Sequence, residues 1–241
     1  MSEPDLIIIV PAFNEHDSLH RLKSEMDLFL SSAPMAVEVL FVDDGSTDDS
    51  LSVIREISNQ DKRYSYISLP ANMGLSAALK AGIDHSHSKW IGYMDADLQT
   101  SPSDFALFLP YLEDHELVTG YRHNRQDKFV KRMSSLIANS FRRSVLRDGV
   151  RDTGCPLKII RRDIAVRIPF FKGMHRFIPA LVQVLDGKVK EVPVNHYARL
   201  EGASKYHLSN RIIQPFLDTL AVYWIKKRII KYGPVKEGRS A

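Results

Sequence analysis

Short runs dense in Ile, Val, Phe and Tyr recur through the first half of the chain, and a polar stretch separates each from the next. The runs are 6–13 (LIIIVPAF), 37–44 (VEVLFVDD), 65–70 (SYISLP), 90–98 (WIGYMDADL) and 116–122 (ELVTGYR). Between the first two, Leu19, Leu22, Met26 and Leu30 fall at spacings of three and four, the apolar stripe of a helix over 14–30. A second helix is expected from Asp48, an Ala-rich one over 74–86, and another over 102–112. Near-continuous apolar strands alternating with helices predict an α/β chain whose mainly parallel sheet is covered on both faces. Such sheets bind their ligands beyond the carboxyl ends of the strands. The residues that close each run are therefore the ones to read for chemistry.

The 241 residues, 44% hydrophobic, suffice for one sizeable core and suggest a single domain. No stretch offers the roughly 20 uninterrupted apolar residues of a membrane span. The opening MSEPDLIIIVPAF has no basic n-region, so no signal peptide is read and a cytoplasmic location is expected. A single cysteine, Cys155, rules out an internal disulfide framework and a cysteine-rich zinc site. The formal net charge of +4 and pI of about 9.1 suit anionic partners.

After residue 122 the pattern changes. Residues 122–147 interleave many Arg and Lys with Phe129, Met133, Leu136, Ile137 and Phe141, as a basic amphipathic helix would. A strand is expected over 156–162, a helix around 174–186 and a further extended run over 188–199. Residues 211–233 are apolar but broken by Gln214, Pro215 and Asp218, and they close on a Lys/Arg cluster. The expected division is a catalytic domain over 1–210 and an amphipathic, basic tail over 211–241.

Three strands end in polar groups at what would be one rim. The fourth ends in Asp95-Ala96-Asp97-Leu98-Gln99. Two carboxylates at i and i+2 can converge on one divalent cation, and Mg²⁺ and Mn²⁺ favour hard oxygen ligands shared with substrate phosphates. Gln99 can add an amide oxygen or orient a metal-bound water. The second strand ends in Asp43 and Asp44, Gly45 permits a turn, and Ser46 to Asp48 cap a helix. An acid there can accept from ribose hydroxyls or a base N–H. The first strand ends in VPAFNE. Neither GxGxxG nor GxxxxGK[ST] occurs at these turns, which argues against a dinucleotide oxidoreductase and a P-loop NTPase.

VPAFNE, VDDGSTDDS, NMGLSAALKAG and DADLQ, in this order, resemble the family 2 glycosyltransferases of GT-A fold. GYR (120–122), DTGCPLK (152–158) and ARLEGASKY (198–206) look like the polyprenyl-phosphate sugar transferases, of which dolichyl-phosphate mannose synthase is the best-known member. The resemblance covers roughly residues 5–210. It implies a nucleotide-diphospho-sugar donor, a Mg²⁺ or Mn²⁺ ion and a polyprenyl phosphate acceptor. By the same resemblance Pro11, Ala12, Asn14, Glu15, Asp43, Asp44, Asp95 and Ala96 would line the donor pocket, and Asp95, Asp97 and Gln99 the metal site. Arg122, Arg132, Ser135, Arg199, Ser204 and Lys205 would receive phosphates. Asp152 matches an acid near the reacting centre, so Asp152, Asp97 and Arg122 are the expected catalytic set. The match departs at Pro156-Leu157-Lys158, where relatives often carry Phe-Arg, and no phosphate contact is carried over to Lys158.

A phosphate acceptor is a nucleophile already ionised near neutral pH, its second pKa being about 6. No strong base is needed, and Asp152 reads as a positioning or electrostatic group. A single displacement would invert the anomeric centre. The lipid acceptor requires the enzyme to reach a membrane surface. The expected contacts are the basic helix over 127–147 and the tail, on the cytoplasmic face, with an integral-membrane partner as a further anchor. Two rival readings are a transferase to a saccharide hydroxyl and a silent nucleotide- or lipid-binding subunit. The intact Asp95, Asp97 and Gln99 disfavour the second. Nucleic acid is not an expected partner, because no recognised reading motif accompanies the basic residues. His175, His196 and Cys155 read as structural.

Overall fold

The computed structural model describes residues 3–123, 139–197 and 213–230. In chain order the elements are β1 (Leu6–Ala12), α1 (His16–Ser32), β2 (Val37–Asp43), α2 (Ser50–Gln60), β3 (Tyr64–Ser68), α3 (Leu75–His85) and β4 (Trp90–Tyr93). Two 3₁₀ turns (Pro102–Leu107 and Leu109–Tyr111) lead to β5 (Leu117–Arg122). Then come α4 (139–146), β6 (Lys158–Arg161), α5 (Arg162–Ala165), a 3₁₀ turn (Met174–Phe177), α6 (Ile178–Val184), β7 (Val189–Val194) and α7 (Ile213–Arg228).

The seven strands form one sheet in the order β3-β2-β1-β4-β6-β5-β7. Every pairing is parallel except those of β6, which runs antiparallel to both β4 and β5. The sheet is thus mainly parallel, as expected. The reversed strand has one functional effect. The rim that receives the carboxyl ends of β1, β2, β4, β5 and β7 also receives the loop that enters β6.

Alternation along β1 builds two cores. Leu6, Ile8 and Val10 point into a cluster with α1, α2 and the 3₁₀ turns, around Phe29, Phe41, Phe105 and Phe108. Ile9 points the other way, to α3, α5, α6 and the buried Leu146 and Val222 of α4 and α7. Two fully covered faces explain why the strands read as continuous apolar runs. Helix α7 packs on the body: Phe216 stacks on Phe141 with ring centroids 4.5 Å apart, and Lys226 Nζ donates to the carbonyl of Leu146 at 2.6 Å.

Two expectations change. The helix predicted over 102–112 is a pair of 3₁₀ turns. Pro110 has no N–H for the i−4 carbonyl of Ala106, so an α-helix cannot run through it. The basic helix predicted over 122–147 has its first residue in β5 and helical structure at 139–146; residues 124–138 lie outside those described.

Candidate active site

The DADLQ loop follows β4 directly. Along it burial alternates: Asp95, Asp97 and Gln99 are half-exposed, while Ala96, Leu98 and Thr100 are buried. Leu98 holds φ +52°, the left-handed region, with its side chain in the core. A leucine there is strained by about 1 kcal/mol or more and persists because its burial fixes it. The outcome is a loop that directs its polar odd-numbered residues away from the core. Gln99 N–H donates to Asp97 Oδ1 at 3.2 Å, and the Tyr93 hydroxyl donates to Asp95 Oδ1 at 2.7 Å. Among the described residues no group of three or more His, Cys, Asp or Glu side chains could hold a metal by itself. Two adjacent carboxylates do fit a hard divalent cation whose remaining ligands are substrate phosphates and water.

Next to this loop, across β1, the ends of β1 and β2 are laced together. Asn14 holds φ +53°; its N–H donates to Ser46 Oγ at 3.0 Å and its Oδ1 accepts from Thr47 N–H at 2.7 Å. Glu15 N–H donates to Ser50 Oγ at 2.8 Å. Asp43 Oδ1 accepts from Ser46 N–H and Oδ2 from the Ser68 hydroxyl. A cleft of about 490 Å³ opens here, lined by Phe13, Asp43, Ser46, Thr47, Ser68 and Asn72 among others.

Asp44, expected at the donor pocket, holds the neighbouring loop. It is 4% exposed, and its two oxygens accept from Met73 and Gly74 N–H at 2.8 and 2.9 Å. Burial pushes its carboxyl above the usual range against the pull of those two donors. Asp44 therefore sets the 71–74 loop that walls the cleft, while Asp43 lines it. Gly45 lies between that loop and the rim with φ +68°; a Cβ there would sit 2.4 Å from the carbonyl carbon of Ala71. Pro11 and Ala12, at the end of β1, pair with Val42 and Asp43.

At the third position of the rim Arg122 ends β5 and meets Asp152 on the loop before β6. Arg122 Nε donates to Asp152 Oδ2 at 2.7 Å and Nη2 to Oδ1 at 2.9 Å. Arg122 N–H also reaches Oδ2, and Gly154 N–H reaches Oδ1. The pair is largely buried, with side chains 11% and 9% exposed. A Cβ on Gly154 would stand 3.0 Å from Arg122 Nη2, which accounts for a glycine at that turn. Glu191 holds the same loop by accepting from Arg151 and Asp152 N–H. Cys155 is fully buried behind it, its thiol pushed up to about 11 by burial, which suits no nucleophile.

The segment after β7 returns to the DADLQ loop: Tyr197 N–H donates to the Gln99 carbonyl at 3.0 Å, and Asn195 N–H to Asp104 Oδ2 at 3.3 Å. The described chain up to Tyr197 thus lies against the DADLQ loop. Arg132, Ser135, Arg199, Ser204 and Lys205 lie outside the described residues. Of the other expected residues, the structure gathers Asp43, Asp95, Ala96, Asp97, Gln99, Arg122 and Asp152 along one rim. Sequence reading did not single out Phe13, Ser68 and Asn72 in the cleft, or Tyr93 beneath the loop, and it weighed Lys158 only as a phosphate contact. Asn72 lies in the NMG stretch and was the most accessible of these. The others look like ordinary strand residues.

Residues 7–168 match Glycosyl transferase family 2. Dodecaprenyl-phosphate galacturonate synthase of Rhizobium johnstonii is 36% identical over 229 residues, which covers 92% of this chain and 68% of that protein. Undecaprenyl-phosphate 4-deoxy-4-formamido-L-arabinose transferase of Sodalis glossinidius is 31% identical over 203 residues, covering 83% and 62%. The chain therefore spans about two thirds of the length of these curated relatives. Glucosyl-3-phosphoglycerate synthase of Mycobacterium tuberculosis, solved with Mn²⁺, UDP-glucose and phosphoglyceric acid, superposes with a TM-score of 0.70 at 17% identity, covering 90% of this chain and 80% of that one. At that identity the likeness is one of fold. The family match over residues 7–168 and a relative 36% identical over most of the chain lead to one assignment: the chain is a glycosyltransferase and belongs to glycosyl transferase family 2.

Proposed function

We propose that the protein moves a sugar from a nucleotide-diphospho-sugar to a polyprenyl phosphate, with inversion at the anomeric carbon. The observation that carries this is the state of Asp152. Its two oxygens take four donors, two of them from the Arg122 guanidinium. A carboxylate so engaged is a poor proton acceptor. Transfer to a hydroxyl requires a base at the acceptor, whereas a phosphate oxygen arrives ionised. The same arginine, held at the rim by Asp152, suits recognition of that phosphate. The names of the two relatives above, both polyprenyl-phosphate enzymes, support the same reading.

The donor's nucleoside would lie in the cleft beside Asp43, with its diphosphate toward the DADLQ loop. Asp95 and Asp97, with Gln99 beside them, would hold Mg²⁺ or Mn²⁺, an ion that offsets charge developing on the leaving diphosphate. Asp152 orients Arg122 at the acceptor end. Arg132, Ser135, Arg199, Ser204 and Lys205 would complete the phosphate contacts, Arg199 following closely on the Tyr197–Gln99 bond. We read residues 1–210 as the catalytic domain and 211–241 as a tail that meets the membrane. No described helix is long and apolar enough to cross a bilayer. Helix α7 instead exposes Leu217, Leu220 and Trp224 ahead of Lys226, Lys227 and Arg228, which favours peripheral binding to the cytoplasmic face, with room for an integral partner.

The test is donor turnover. The protein is incubated with Mg²⁺ or Mn²⁺, a short polyprenyl phosphate and a panel of UDP- and GDP-sugars, and the lipid product is followed by mass spectrometry. A polyprenyl-phosphate-sugar that is lost in Asp97→Ala is the expected result. Donor hydrolysis without a lipid product would point to a hydroxyl acceptor instead.

A further inference from the structure

Beneath the DADLQ loop lies a buried lysine for which the reaction above has no use, its amine pulled below the usual lysine range by burial. Lys158 is 2% exposed and Tyr93 7%. The antiparallel ladder between β4 and β6 sets the two directly opposite each other, on one face of the sheet. Lys158 Nζ donates to the carbonyl of Cys155 and lies 5.8 Å from the centre of the Tyr93 ring. Tyr93 and Lys158 line a small apolar cavity together with Ile9, Leu79, Ile91 and Met174. From that setting the Tyr93 hydroxyl reaches Asp95 Oδ1 at 2.7 Å.

A buried lysine amine is costly in either protonation state, and an apolar side chain of similar volume would fill the site without that penalty. A phenol at the end of a core strand likewise brings a hydroxyl that must find a partner. Both costs converge on one result, the orientation of a single carboxylate. Packing alone would be served by Phe at 93 and Met or Leu at 158.

We propose that Tyr93 is the positioning residue of the metal site, with Lys158 bracing its ring, so that Asp95 is held ready before any ion or donor arrives. The inference rests on the reading of Asp95 and Asp97 as metal ligands. Hydrogen bonds to a ligating carboxylate from the layer behind it are commonly worth 10- to 100-fold in metal affinity. Tyr93 acts through Asp95, and Lys158 acts through Tyr93.

The test is a Mn²⁺ titration followed by the electron paramagnetic resonance signal of free Mn²⁺, with UDP present and no turnover, on the full chain. Tyr93→Phe keeps the packing and removes only the hydroxyl. Its Mn²⁺ dissociation constant is expected to rise roughly tenfold, while its thermal midpoint stays within a few degrees of wild type. Lys158→Met is expected to weaken Mn²⁺ binding by roughly two- to fivefold, and the double variant to match Tyr93→Phe alone, because the lysine works through the hydroxyl. Unchanged Mn²⁺ affinity in Tyr93→Phe, with Asp97→Ala still abolishing binding, overturns the inference and leaves the metal reading standing. Tighter binding in Lys158→Met overturns the brace, since it would mean the ammonium simply repels the ion. Mn²⁺ binding by wild type that Asp97→Ala does not diminish overturns the metal reading and this inference with it.

Discussion

Asp152 receives two N–H bonds from the Arg122 side chain and one from its backbone, while Gly154 N–H supplies a fourth. Asp152→Asn keeps the shape of that group and removes its charge. Arg122, largely buried, then loses the charge of this partner, and breaking such a pair costs about 3–5 kcal/mol. A thermal melt is expected to show the loss. Turnover is expected to fall roughly 100-fold through misplacement of the guanidinium. The remaining activity should keep the wild-type dependence on pH, because no base has been removed; loss of one limb of that profile would mean that Asp152 takes a proton. The two acids of the DADLQ loop were legible from sequence because alternating acids at a strand end are a local pattern. Tyr93 and Lys158 were not, since their meaning comes from a contact between strands far apart in sequence. Asp44 lay between these cases: its position at the rim was readable, and its bonds to Met73 and Gly74 N–H were not.

Among the elements, the β2–α2 turn shows how little slack the cleft has. Gly45→Ala combines a left-handed φ with a Cβ driven into the backbone of Ala71, so the 71–74 loop must move. The expected cost is at least about 2 kcal/mol, with weaker nucleotide binding by calorimetry, because the displaced loop is a wall of the cleft. Helix α7 makes a separate prediction. Leu217, Leu220 and Trp224 are 55%, 51% and 63% exposed on one stripe, while Val222 is buried against the body. Replacing those three by Ser should leave the melting temperature close to wild type. It should lower cosedimentation with anionic vesicles several-fold, each exposed apolar side chain contributing about 1 kcal/mol or more on insertion. Helical periodicity made α1, α2 and α3 readable. It misled over 102–112, where the apolar spacing suits a helix and Pro110 forbids one.

For the molecule as a whole, His175 is one source of pH-dependent stability. Burial depresses its pKa to about 3 from 6.5. Its Nδ1 lies 3.2 Å from the Ser76 hydroxyl, which in turn accepts from Gly173 N–H. The folded protein keeps this imidazole neutral while the unfolded chain protonates it. Its contribution to stability is therefore complete above pH 6.5 and is lost progressively as pH falls toward 3. Urea midpoints measured across that range should decline less steeply in His175→Asn than in wild type. The sequence foretold the alternating architecture but not the reversed strand, because periodicity identifies a strand without giving its direction. That reversal has a consequence in time. Since β6 must insert between β4 and β5, Tyr93 cannot meet Lys158 until the chain has been made well past residue 158. A ribosome that has released only the first 123 residues has exposed both aspartates of the DADLQ loop and most of the cleft, yet neither Asp152 nor Lys158. Such long-range closure is slow, so the nascent enzyme stays chemically unfinished until its second half arrives.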